Sequence, residues 1–226
     1  MPDYMDFKFS EARCMPVILL LDTSGSMSSD GNINVLNNAV REMLQDFAAQ
    51  DTGNSVIKVA IFAFGPEARR ILALSAAHEA LDAYQDMRAM GGTPLGGALK
   101  LAKAMIEDKS IISSRDYRPT VVLVSDGEPN DNWEPALNDF INNGRSSKCS
   151  RLAMGIGALS VGAQKMLKSF AGSSETVFSA RDSKDIKNFF KTVTISTISR
   201  TVSSGPVATK TGAVKDAYDD DYDLPF

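Results

Sequence analysis

Pro16-Val-Ile-Leu-Leu-Leu-Asp22-Thr-Ser24-Gly-Ser26 decides the fold. Its apolar half is continuous, as in a strand buried on both faces of a parallel sheet, where alternation with polar residues is lost. The run ends in a carboxylate, so Asp22 is delivered to the loop at the strand's C-terminal end. After the Ser/Gly-rich stretch Thr23 to Gly31, apolar residues recur at Leu36, Ala39, Val40, Met43, Leu44 and Phe47 with helical period. Strand, loop and amphipathic helix in that order open a βαβ unit.

Working outward, Ser55 to Phe64 reads as a second strand, and Gly65-Pro66 turns the chain into a third, Arg69 to Leu74. So short a connection requires an antiparallel hairpin and makes the third strand an edge. A helix carrying Ala77, Leu81 and Tyr84 follows, then the loop Met90-Gly-Gly-Thr93. The next helix has Thr93 as expected N-cap, Pro94 in its first turn, and Leu95, Ala98, Leu99, Ala102, Met105 and Ile106 on one face. Pro119 to Ser125 is another apolar strand, and it too runs into a carboxylate, Asp126-Gly-Glu128-Pro129. Beyond it the pattern gives a helix over 134–141, a strand over 151–156, a helix over 162–170, a short strand over 176–178 and a helix over 183–199. This alternation predicts an α/β fold: a Rossmann-like, doubly wound, mainly parallel six-stranded sheet with one antiparallel edge strand and helices on both faces. The expected organisation is a lead-in over 1–13, one domain over 14–200, and a flexible acidic tail over 201–226.

Composition narrows the function. The 226 residues are 43% hydrophobic, enough for a sizeable core, and carry a net charge of −4. Counting from Thr201, five aspartates against Lys210 and Lys215 account for −3 of it, which leaves the body nearly neutral. No basic surplus is available to neutralise a phosphate backbone, so direct nucleic-acid binding is not expected. The longest apolar run, Met15 to Leu21, is too short to cross a bilayer, and the first residues do not read as an export signal. A cytoplasmic location is expected, and in that reducing compartment Cys14 and Cys149 stay as free thiols. With those cysteines and a single histidine, His78, no zinc-type ligand set of the usual spacing can be assembled. Any metal must be held by oxygen.

Asp22, Ser24 and Ser26 supply such oxygens from one tight loop, with Gly25 read as the residue that lets it bend. In an open α/β sheet the loops at the carboxyl ends of the strands share one crevice, so Thr93 and Asp126 complete the set from two further loops. Three hydroxyls and two carboxylates suit Mg²⁺ or Mn²⁺, with Ca²⁺ not separated by ligand type alone. Asp, Ser and Gly also dominate ordinary turns, but turn propensity does not explain why donors stand at the ends of three separate elements. The pair Gly155 and Gly157 lacks the third glycine of a dinucleotide fingerprint and reads as strand-end geometry, and His78 has no nucleophile to activate.

Asp22-x-Ser24-x-Ser26, then Thr93, then Asp126 resembles the metal-ion-dependent adhesion site of von Willebrand factor A (VWA) domains, over roughly residues 14–200. Leu19-Leu-Leu-Asp-Thr-Ser-Gly-Ser-Met27, Gly91-Gly-Thr-Pro-Leu-Gly96 and Ser125-Asp-Gly-Glu-Pro-Asn-Asp131 are similar to the bacterial TerY-like branch associated with tellurium resistance and stress. The resemblance implies a non-enzymatic adaptor in which the metal offers one coordination position to an acidic side chain of a partner protein, in a setting with a kinase or phosphatase. Met27, Glu128 and Asn130 are then expected on the rim. Asp22→Ala is expected to remove the metal and leave the fold intact.

Two other readings stay open. A Mg²⁺-dependent phosphohydrolase also begins with a strand-end aspartate, yet needs a second acid where Ser24 stands, and no lysine lies in the Asp22 or Asp126 loop. The stretch Asp219, Asp220, Asp221, Tyr222, Asp223, Leu224, Pro225, Phe226 resembles the acidic tip of bacterial single-stranded-DNA-binding proteins, which implies recruitment of DNA-processing proteins.

Overall fold

The computed structural model describes residues 13–50, 55–173 and 176–202. The lead-in and the aspartate-rich stretch Asp219 to Phe226 lie outside them. Six strands form one sheet: β1 (Arg13–Asp22), β2 (Ser55–Phe64), β3 (Ala68–Ala76), β4 (Thr120–Ser125), β5 (Ser150–Ile156) and β6 (Val177–Ala180), in the order β3-β2-β1-β4-β5-β6. β1 pairs in parallel with β2 and β4, β4 with β5 and β5 with β6, while β2 and β3 are antiparallel. The hairpin and its edge strand are as the short Gly65-Pro66 connection predicts. β1 begins three residues earlier than expected, because Arg13 to Met15 already pair with Ser55 to Ile57.

Helices α1 (Asn32–Ala49), α2 (Ala77–Ala83) and α6 (Ser183–Val202) cover one face; α3 (Leu95–Glu107), α4 (Trp133–Asn142) and α5 (Val161–Ala171) cover the other. The two-residue period of the strand divides β1 between them. Val17, Leu19 and Leu21 pack with Leu36, Val40, Phe189 and Phe190; Ile18 and Leu20 pack with Leu95, Leu99, Leu137 and Phe170. Removal of such side chains from water contributes roughly 1.5–3 kcal/mol each, which explains why β1 is apolar without interruption. Asp22 follows this run and shares its burial.

Both cysteines are free and buried. Burial pushes the Cys14 thiol up to about 12 and the Cys149 thiol up to about 11. The thiolate is the reactive form, so iodoacetamide at about pH 8 is expected to label neither cysteine in the folded chain and both in denaturant, as read by mass spectrometry.

Candidate metal centre

Asp22 stands at the C-terminal end of β1 between two neighbouring strands and is 0% exposed. One carboxylate oxygen, Oδ1, accepts from the Ser24 backbone N–H at 2.8 Å; the other, Oδ2, accepts from the Ser125 hydroxyl at 2.6 Å. Burial pushes its carboxyl up to about 6, with these hydrogen bonds opposing the rise and the Asp126 charge adding to it. The Ser24 bond folds the chain sharply after Asp22. Ser24 Oγ and Ser26 Oγ then lie 3.0 Å apart, and both donate to Asp126 Oδ1, Ser26 at 2.8 Å and Ser24 at 3.5 Å. Burial raises the Asp126 carboxyl as well, against the hydrogen bonds from Ser26 and Ser24.

A third loop closes against this pair. The Met90 N–H donates to Thr23 O at 2.8 Å and the Gly25 N–H to Gly91 O at 3.0 Å. Gly91 holds a φ of 76°, and a Cβ there would meet Pro66 N at 2.5 Å. A side chain is excluded on both counts. Gly25 is not constrained in this way: a Cβ on it would meet only Gly91 O, at 3.6 Å. The expectation that Gly25 bends the loop is therefore corrected; the Asp22–Ser24 bond bends it, and the obligatory glycine is on the facing loop.

Thr93 is buried beside that loop, and Asn130 ties it to the Asp126 loop. The Thr93 N–H donates to Asn130 Oδ1 at 3.0 Å, and the Asn130 N–H donates to Thr93 O at 3.1 Å. Thr93 is not the N-cap of α3: Pro94 holds that position, with ψ at 67° and no side-chain cap bond. Capping comes from across the site instead. The Asp131 carboxylate accepts from the Gly96 N–H and the Gly97 N–H, each at 3.1 Å, satisfying two of the donors that open a helix.

The structure thus brings Asp22, Ser24, Ser26 and Asp126 into one hydrogen-bonded group and holds Thr93 beside them through its backbone. Met27, expected on the rim, is 0% exposed and belongs to the core under α1, because the turn over 25–31 rolls its side chain inward. Glu128 is exposed, as a rim residue requires, and its carboxylate accepts from the Ser160 hydroxyl at the start of α5. Asn130 is exposed but clamps Thr93. Ser125, Asp131 and Asn37 went unread in the sequence. Asn37 accepts from Tyr84 and from the Met87 N–H and donates to Met87 O, fixing the irregular segment that leads to Gly91. A buried polar residue on an otherwise apolar helix face was the available signal for Asn37.

The donor set fits a hard divalent cation. All its atoms are oxygens, and the charge of half-buried Asp126 adds to the rise that burial imposes on the Asp22 carboxyl. Among the described residues no Lys, Arg or His forms an ion pair with either. No group of three or more His, Cys, Asp or Glu among the described residues could hold a metal. Replacing Asp22 by Ala would leave the buried Ser24 N–H without its acceptor, at a cost of roughly 1–3 kcal/mol, while the Ser125 hydroxyl keeps Gly127 O at 3.2 Å. The fold is still expected to survive Asp22→Ala, at reduced stability, since Asp22 ends an interior strand rather than an edge strand.

A mainly parallel sheet with oxygen donors from the β1 and β4 loops converging at its carboxyl end, and the Thr93 loop fastened beside them, defines an α/β domain that presents a compact acidic and hydroxylic centre. The chain belongs to the von Willebrand factor type A domain family, whose match covers residues 17–192. Among solved structures it is similar to a von Willebrand factor type A protein from Catenulispora acidiphila, at 19% identity and a TM-score of 0.66 over 83% of this chain and 43% of that one. It is also similar to proximal thread matrix protein 1 from the mussel byssus with a zinc-occupied MIDAS motif, at 17% identity and 0.65 over 83% and 46%. A third is the pilus adhesin SpaC from Lactobacillus rhamnosus GG, at 15% and 0.69 over 85% and 31%. The chain thus spans less than half the length of each of these three. Comparison with curated proteins finds no match.

Because Asp131 caps α3 from another loop, Asp131→Ala is expected to lower stability by about 1–2 kcal/mol in urea titration, with Asp131→Asn losing less.

Proposed function

We propose that this chain is a metal-dependent protein-binding module. Asp22, Ser24, Ser26, Thr93 and Asp126 would hold a divalent cation, Mg²⁺ by preference for hard oxygen, with Mn²⁺ and Ca²⁺ as alternatives. When bound, the cation offers a coordination position to an acidic side chain of a partner. The observation that carries the reading is the convergence of both serine hydroxyls on Asp126 beside buried Asp22. Family membership supports it, since VWA domains are known for metal-dependent protein–protein interaction and adhesion. A zinc-occupied MIDAS motif in the mussel protein adds zinc to the ions worth testing.

The chain's own residues divide the work. Asp22 holds the Ser24 turn, Asp131 and Asn130 fix the Thr93 loop, and two exposed apolar side chains flank the centre for a partner to cover: Met90, 57% exposed, and Val161, 84% exposed. Ser24 stands where a phosphohydrolase needs a second acid and no lysine lies in the Asp22 or Asp126 loop, so a role for Asp22 as phosphoryl-accepting nucleophile has little support. The similarity to TerY-like proteins extends the proposal to a cytoplasmic stress or defence assembly that includes a kinase or phosphatase; no described helix is long and apolar enough to cross a membrane.

The test is Asp22→Asn, which keeps a carbonyl for the Ser24 N–H and an amide to donate to Ser125 Oγ while removing the charge. Calorimetry is expected to find Mg²⁺ bound to the wild type and not to the variant. The wild type should gain about 2.7 kcal/mol of stability at a hundredfold excess over Kd, and the variant none. Equal metal affinity in both would refute the assignment.

A further inference from the structure

A groove of about 470 Å³ starts beside the candidate centre and runs between α4 and α5. Glu128 and Pro129, from the loop that carries Asp126, form its upper end; Trp133, Leu137 and Ile141 supply its apolar wall, and Lys165 stands on the opposite side. A ligand of the centre that continued into this groove would need a carboxylate followed directly by large apolar side chains. Asp223-Leu224-Pro225-Phe226 has that order.

We propose that this stretch of the chain is a ligand of its own domain, with the Asp223 carboxylate at the cation position and Leu224 and Phe226 in the groove against Trp133. The inference rests on the metal-binding reading given above. Charge agrees with the orientation: Glu128 and Glu134 line the groove and disfavour aspartates there, so the acidic part, Asp219 to Asp223, is held at the cation and the apolar residues enter the groove. The reach is sufficient. α6 starts at the end of the sheet that carries Asp22, and its 20 residues run to the far end, a distance of about 30 Å. Residues 203–218 span up to roughly 50 Å when extended, which covers the return and the passage around the β6 edge. Tethering of this kind gives the segment an effective concentration on the order of millimolar at its site, so an external acidic partner must displace it. The segment then acts as a built-in competitor that sets the affinity a partner needs.

The experiment uses the full chain, wild type and the variant Asp223→Asn/Leu224→Ser/Phe226→Ser, whose substitutions lie outside the matched domain. Trp133 is the single tryptophan, so its emission reports the groove. In Mg²⁺ the wild-type emission is expected to be blue-shifted relative to EDTA, independently of protein concentration, and the variant to show no such shift. A labelled peptide of residues 216–226 should bind the variant in Mg²⁺ about tenfold more tightly than the wild type, whose own segment competes, and neither chain in EDTA. Identical emission and peptide affinity in the two chains, with calorimetry showing Mg²⁺ in both, would overturn the inference and leave the metal site standing. A shift that grows with protein concentration would also overturn it, in favour of the segment of a second copy. Absence of Mg²⁺ from both chains would defeat the metal-binding reading and this inference with it.

Discussion

The buried Asp22 carboxylate is the constraint on which the rest of the site depends. It ends an interior strand buried from Cys14 onward, and a charge there is opposed by desolvation strongly enough to move its carboxyl up to about 6. A buried acid is tolerated where its oxygens are satisfied, and here one oxygen takes the Ser24 N–H and the other the Ser125 hydroxyl. The first bond turns the chain so that Ser24 and Ser26 face Asp126. The second joins the ends of β1 and β4. Site geometry is thus written into the sheet at its central strand pair.

The surrounding loops are fastened to one another more than to solvent. Thr23 accepts from Met90, Gly25 donates to Gly91, Asn130 brackets Thr93, and Asp131 caps α3. Each bond crosses between loops distant in sequence, so no loop is free to adjust alone. A centre held this way is preorganised for a cation, since little backbone ordering is left to oppose binding. The remaining freedom lies outward, where Glu128, Met90 and Val161 are exposed and the groove opens beside Trp133.

Much of this was legible in the sequence because β1 is unambiguous. Seven residues from Pro16 to Asp22 fix a doubly buried strand and place a carboxylate at its end, and Asp126 repeats the pattern after β4. The hairpin followed from the length of a single turn. What stayed hidden depends on contacts between loops. Met27 follows Ser26 directly, and only the turn over 25–31 decides that its side chain points into the core. Thr93 has the residue type and position of an N-cap, yet Asp131, 35 residues from Gly96, does the capping. Gly25 draws attention by lying inside the motif, whereas the steric demand falls on Gly91, whose neighbour Pro66 is distant in sequence. Local propensity identifies turn formers; it does not identify what packs against them.

The most direct test of the central claim is anomalous diffraction from crystals of this chain soaked in Mn²⁺. The account predicts one strong peak at the end of β1 and β4, bonded to the Ser24 and Ser26 hydroxyls, with the Ser26 to Asp126 hydrogen bond rearranged to admit it. Crystals that show no peak there, with Ser24, Ser26 and Asp126 still hydrogen-bonded to one another as described above, would contradict it.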